Sequence, residues 1–376
     1  MKKFFILILL FSNNLFAHVN YVETISELPG IKYPNGLDET GEPVLTYAMT
    51  KRTKLDGFNE LLPFIMPSPN QEDAGSCLYM AITGNIEWWL NYLYPNESKI
   101  VDGPHDLSER YLMNMAGMDE DNSPVENWRT DTVYLFNWFG SVLNSDYPYT
   151  KGWFKEEKDE MVIAKPEEKG SSFGTGYNWV NEIETFNPQK VDLPKFEREI
   201  IFEDKDKNQW NVGVTPSNII EKVKEALRIN KAPVLITYNH YGYWHVHMIV
   251  GFDDNENSHG CKFTKETAPY LKDQAKKFRD KAENESDPEV KEKLERKAEI
   301  FTKNSDTIYK TMEEIGCKKG MFYIRDSLYS DSSEQNYSYH TEGNTDDKPY
   351  AKKVILREYE YLRALANHII QIKPIN

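Results

Sequence analysis

The apolar residues of this chain change their spacing part-way along it, and that change restricts the fold more than any other feature. From Ser76 onward, Leu78, Ile82, Trp89 and Leu93 recur at helical intervals until Pro95 intervenes. Ser76 is placed to cap this helix, which puts Cys77 in its first turn. A second, short amphipathic helix is predicted from Val133 to Phe139, before the aromatic turn "DYPYT" at 146–150. The charged and then Gly-rich stretch 158–179, "KDEMVIAKPEEKGSSFGTGYNW", reads as exposed loop. Beyond it the apolar residues come in short runs: "REIIF" near 200, "APVLITY" at 232–238, "HVHMIVGF" at 245–252 and "MFYIRDS" at 321–327. Such runs are strands. A helical first half followed by a β-rich second half predicts an α+β fold.

Residues 262–315 interrupt the strands. Leu271, Ala275, Phe278 and Ala282 form one helical stripe; Val290, Leu294, Ala298 and Phe301 form another. Between them "SDPEV" is a helix start, with Asp287 as cap and Pro288 in the first turn. The prediction is a helical-hairpin insertion with a heavily charged outer face, chiefly a solvated elaboration and possible as a partner contact.

At 376 residues the chain can bury a large core without a disulfide scaffold. Its net charge of -15 argues against a nucleic-acid partner, which would need clustered Lys and Arg. Residues 1–17 have the form of a signal peptide: Lys2 and Lys3, an apolar core from Phe4 to Phe11, and a cleavage position after Ala17. That core is too short to span a bilayer, and no later segment is long enough, so no membrane span is expected and the protein reads as exported, to the periplasm or the medium. Residues 18–65, rich in Pro, Gly and Thr, read as an arm or a pro-segment. Export permits disulfides, and the three cysteines leave one over. Cys261 and Cys317 bracket the helical segment, where a disulfide would tie its base; that pairing leaves Cys77 free.

A thiol attacks as the thiolate, and a helix N-terminus favours the anion through its unpaired N–H groups. Cys77 is therefore a candidate nucleophile, against the plainer reading of a small buried apolar side chain. His245 and His247 share one face of a predicted strand, and either is placed to act as a base. Asp326 stands at the polar end of another strand, where a carboxylate can orient an imidazole.

Taken in order, these blocks resemble the papain-like (C1-type) cysteine peptidases. The family's "QGxCGSCW" is similar to "QEDAGSCL" at 71–78, with Gln71 six residues before Cys77; "LSEQYL" to "LSERYL" at 107–112; "YPYT" to Tyr147 through Thr150; "GPV" to "APV" at 232–234. "HAVxxVGY" is similar to "HVHMIVGF", which puts the family's catalytic histidine on His245, and "NSWG" to "DSLY", which puts its orienting residue on Asp326. The resemblance implies a two-lobed fold, a helical lobe and a β-barrel-like lobe, with residues 66–376 as the peptidase domain: 66–195 mainly helical and 196–376 mainly β. It implies a cysteine endopeptidase acting on peptide or protein substrates, with Cys77 as nucleophile, His245 as acid and base, Asp326 orienting it, and Gln71 in the oxyanion hole. No cofactor and no metal are implied. The chain departs from the pattern at Asp326 (Asn in the family), Leu328 and Leu78 (Trp), and Ala74 (Cys), and "MDEDNSPVENW" lacks the family's substrate-binding glycine pair.

Two other readings use the same residues: a transglutaminase-like thiol acyltransferase, which has the same Cys-His-Asp order, and a binding protein on a catalytically dead papain-like fold. His245 and His247 also have metal-ligand spacing, with His240, His259 or Asp253 as further ligands, though this leaves the cysteine block unexplained. His247 itself reads as a core or supporting histidine, and His18 as incidental. Trp88, Trp89 and Trp138 are expected in the core, and Trp244, beside His245, is the exception with a possible substrate role.

Overall fold

The computed structural model describes residues 61, 64–66, 76–94, 105–116, 132–149, 154–157, 160–163, 186–191, 193–203, 218–240, 243–255, 258, 260–327 and 355–375. The expected signal peptide, nearly all of the 18–65 arm, Gln71, Ala74, the "MDEDNSPVENW" stretch, His259 and Leu328 lie outside the described residues.

Helix α1 (Cys77–Leu93) is buried along its whole length. Its aromatic residues account for this: Trp88 stacks on Tyr92 and meets Trp89 and Phe64 edge-on. The indole N–H groups still need acceptors, and Trp88 donates to the Leu61 carbonyl and Trp89 to that of Ile372, each at 2.9 Å. Helices α2 (Glu109–Ala116) and α3 (Val133–Phe139) follow, and α2 packs against both of its neighbours. Short pairings connect them to the rest of the chain: β1 (Ser141–Val142) with β4 (Lys190–Val191), and a hairpin of β2 (Phe154–Glu157) and β3 (Glu160–Ile163). This hairpin corrects the loop expected from residue 158. Met161, Val162 and Ile163 are an apolar run too brief to stand out among charged neighbours, and the pairing with β2 makes it a strand.

The second half is built on one antiparallel sheet of six strands, β5 (Phe196–Glu203), β6 (Val234–His240), β7 (Tyr243–Asp253), β8 (Met321–Arg325), β9 (Ile355–Glu358) and β10 (Ala366–Pro374), in the order β5-β10-β6-β7-β8-β9. Among the described residues no pairing joins its edges β5 and β9, so the expected barrel-like closure is not seen there. Helix α4 (Ile219–Asn230) packs on β5, β6 and β7. Helix α7 (Tyr359–Leu365) lies between β9 and β10 and rests on β6.

Between β7 and β8 come the two long helices expected from the apolar stripes, α5 (Lys262–Glu283) and α6 (Pro288–Ile315), packed on each other. Asp287 caps α6 by accepting from the N–H groups of Glu289 and Val290, and Pro288 occupies the first turn. Leu271, Ala275, Ala282, Ala298 and Phe301 are buried, whereas Val290, at the far tip of its stripe, is 40 % exposed. Cys261 and Cys317 are joined at the base, with S–S 2.07 Å. Cys77 is the free cysteine.

Candidate active site

Cys77 opens α1, as the apolar spacing predicts. Ser76 occupies the capping position, but its hydroxyl does not cap the helix. Instead Ser76 Oγ lies 3.0 Å from the hydroxyl of Tyr149, from the "YPYT" block, so the residue before the cysteine is tied to a segment 73 positions away. A tyrosine hydroxyl here competes for the serine that would otherwise serve the backbone.

The imidazoles are delivered by strand register. In the β6 and β7 pairing Tyr238 stands opposite His245 and Ile236 opposite His247, so both histidines share a face, as their alternation requires. In the β7 and β8 pairing Met248 stands opposite Arg325. One further step along β8 brings Asp326 alongside His247. The carboxylate then meets both rings: Oδ1 is 2.8 Å from His245 Nε2 and Oδ2 is 2.9 Å from His247 Nε2. Helix α1 packs on β7, and Cys77 is close enough to His245 to act on its charge. The structure thus gathers Cys77, His245 and Asp326 from α1, β7 and the end of β8.

The electrostatics separate the two imidazoles. Burial opposes a charge on His245, but the hydrogen-bonded carboxylate of Asp326 and the neighbouring Cys77 outweigh it and raise its pKa to about 9. Burial also opposes a charge on His247, and the attraction of Asp326 does not compensate against His245 and Arg357, so its pKa falls to about 4. Burial would push Asp326 up, yet the two imidazoles hold it well below the ordinary carboxylate range. At neutral pH the arrangement is an imidazolium, a carboxylate and a neutral imidazole in series.

A buried arginine connects this group to the cysteine helix. Arg325, adjacent to Asp326, donates from Nε to the Met66 carbonyl at 2.9 Å and from Nη1 to that of Met80 at 2.8 Å, and its Nη2 is 3.5 Å from Glu87 Oε2. Its guanidinium lies against Gly84, where a Cβ would come within 2.1 Å of it. Met80, Gly84 and Glu87 follow Cys77 along one side of α1. Neither this contact, nor Tyr149 on Ser76, nor His247 on Asp326 was identified from the sequence. Each depends on tertiary packing, and only the shared face of His245 and His247 hinted at the last.

The ligand atoms of His245, His247 and Asp326 lie within 4.8 Å of one another, a spacing that a metal ion accepts. Each Nε2 is, however, already engaged with a carboxylate oxygen. Asp253, one of the extra ligands considered, is at the far end of β7, about 20 Å along the strand from His247. Trp88 and Trp89 are buried as expected, but Trp138 is 53 % exposed: α3 is only seven residues long and turns that face outward. Trp244 and His240 belong to β7 and β6, and their side chains lie outside the described residues.

No protein-family profile and no curated protein matches the chain. Solved structures that show some likeness include two of one protease. One is the clostridial cysteine protease Cwp84 after propeptide cleavage, at 16% identity and TM-score 0.38, covering 84% of this chain and 57% of that one. The other is the cysteine protease and lectin-like domains of Cwp84, a surface layer associated protein of Clostridium difficile, at 16% identity and TM-score 0.40, covering 86% and 53%. The chain spans little more than half the length of these two. Neither likeness is close enough to carry an assignment.

Proposed function

We propose that the chain is an exported cysteine endopeptidase, with residues 66–376 as its peptidase domain. The observation that carries this reading is the series of Cys77, His245 and Asp326, drawn from distant parts of the sequence, with the imidazole bonded to the carboxylate at 2.8 Å and Cys77 close enough to act on its charge. Nε2 of His245 is committed to Asp326, which leaves Nδ1 as the nitrogen for the sulfur.

In the reaction the Cys77 thiolate attacks the scissile carbonyl carbon, and the carbonyl electron pair moves to oxygen. As the tetrahedral adduct collapses, the C–N bond breaks and the His245 imidazolium gives its proton to the departing amine, leaving a thioester. Water then attacks the thioester, passes a proton to the neutral imidazole, and releases the acid and the thiolate. Asp326 holds the ring through Nε2 in both steps. The oxyanion is assigned to the backbone N–H of Cys77, which at a helix start has no intrahelical acceptor, together with Gln71. One such donor contributes about 3 kcal/mol of barrier lowering.

The joined Cys261 and Cys317 support export. Among the described residues no helix is long and apolar enough to cross a membrane. The test is hydrolysis of a peptide library by the purified chain beside Cys77→Ala. The expected result is cleavage by the parent and a loss of at least about a thousandfold in the variant, in line with removal of a catalytic nucleophile. Equal activity in the two would end the proposal. Products that are acids even with excess amine present distinguish hydrolysis from acyl transfer.

A further inference from the structure

Asp326 has two oxygens and only one is needed to orient His245. The second is 2.9 Å from His247 Nε2, and that same nitrogen is 3.0 Å from the hydroxyl of Tyr238. His247 is fully buried, and its Nδ1 has no hydrogen-bond partner among the described residues. These facts settle the tautomer. A carboxylate accepts and never donates when ionised, so the proton of a neutral His247 must sit on Nε2, where Asp326 Oδ2 takes it and the tyrosine oxygen shares it. Tyr238 reaches this position because it stands opposite His245 in the ladder, one diagonal step from His247.

The geometry points to His247 as a positioning residue: its Nε2–H holds Asp326 by Oδ2, so that Oδ1 stays aimed at His245. This rests on the peptidase reading, in which Asp326 orients the working imidazole. A lone carboxylate at the end of a strand can rotate about its Cα–Cβ and Cβ–Cγ bonds, and a second donor on its far oxygen removes that freedom. The papain-like pattern covers its orienting residue with a tryptophan; this chain has Leu328 there and holds the carboxylate from behind. The titratable and charged groups around the two rings are Asp326, Cys77 from α1, Tyr238 from β6 and Arg357 from β9.

The experiment compares the full chain with His247→Leu, His247→Asn and His247→Gln. Glutamine can place an amide N–H where Nε2 was, whereas asparagine reaches only as far as Nδ1 and leucine carries no donor. Two readouts are taken on each: the titration of His245 by NMR on histidine-labelled protein, and kcat and KM for peptide hydrolysis against pH. In the leucine and asparagine variants the His245 titration is expected to fall by about one unit from its parental value near 9, and kcat to fall about tenfold or more with KM little changed. Glutamine should recover most of both. A His245 titration unchanged in folded leucine or asparagine variants overturns the role. If neither of those folds, a His245 titration displaced by more than about a unit in the glutamine variant overturns it instead. The NMR readout needs no turnover, so a parent that cleaves nothing refutes the peptidase reading while the positioning role is still decided.

Discussion

At the scale of the residue, the choice of aspartate at 326 has a consequence that an asparagine would not share. Two imidazole nitrogens approach its two oxygens, and both can donate only because a carboxylate presents acceptors on each side. An amide presents one oxygen and one NH2, so one ring would have to reverse its tautomer. Asp326→Asn, although it restores the residue of the papain-like pattern, is therefore expected to lower kcat/KM by about a hundredfold. It also removes the negative charge that outweighs burial at His245. With that charge gone the ring loses its proton at lower pH, and the alkaline limb of kcat/KM should move from near 9 down towards or below the ordinary 6.5. A pH profile with an unmoved alkaline limb would count against the role given to Asp326. Cys77, Asp326 and the pair His245 and His247 can be singled out as candidates from local pattern, since they stand at a helix start, a strand end and a strand face; the choice of His245 over His247 comes from the resemblance. Ser76 was misjudged as a cap because its competitor, Tyr149, comes from another part of the chain.

At the scale of the element, the site depends on how α1 is set against β7 and β8, and Arg325 fixes that relation. Its bonds to the Met66 and Met80 carbonyls satisfy a buried guanidinium and at the same time fill the space left by Gly84. Alanine in a helix is ordinarily about 1 kcal/mol better than glycine. Gly84→Ala should nevertheless destabilise the protein, because the new Cβ would fall 2.1 Å from Arg325 Nη1 and either the helix or the guanidinium must move. Thermal unfolding checks the first consequence, and a slower alkylation of Cys77 checks the second; a variant more stable than the parent would mean that α1 is not clamped as described. Helices α1, α3, α5 and α6 and four of the sheet strands could be read from spacing alone. Strand β10 could not: it lies at the chain's end, is preceded by a helix in the same apolar stretch, and takes its place between β5 and β6 only through long-range pairing. Even so, Trp89 of α1 donates to its Ile372, so this unread strand supports the cysteine helix directly.

At the scale of the whole molecule, the buried titratable groups set a stability profile that differs from the activity profile. Burial raises Glu109 to about 8 and Glu358 to about 7, against an ordinary 4.5. Both are protonated in the folded protein at mildly acidic pH; their contribution is complete below 4.5 and is lost as pH rises towards those folded values. The contribution of His245 is complete below 6.5 and is lost as pH rises through about 9. Burial moves His105 and His247 the other way, to about 4, so theirs is present above 6.5 and lost as pH falls towards 4. The alkaline losses thus begin above 4.5 and the acid losses below 6.5, which places greatest stability between those values. Acylation, which kcat/KM reports, needs His245 to give up a proton to the departing amine, so its alkaline limb should lie near pH 9. Thermal melts from pH 4 to pH 9, run beside kcat/KM on the same buffers, should show stability already declining across the neutral range while activity holds. A melting temperature that rose steadily from pH 5 to pH 8 would mean that the glutamates at 109 and 358 are ionised in the folded chain, and that the charge assignments around α2 and β9 are wrong.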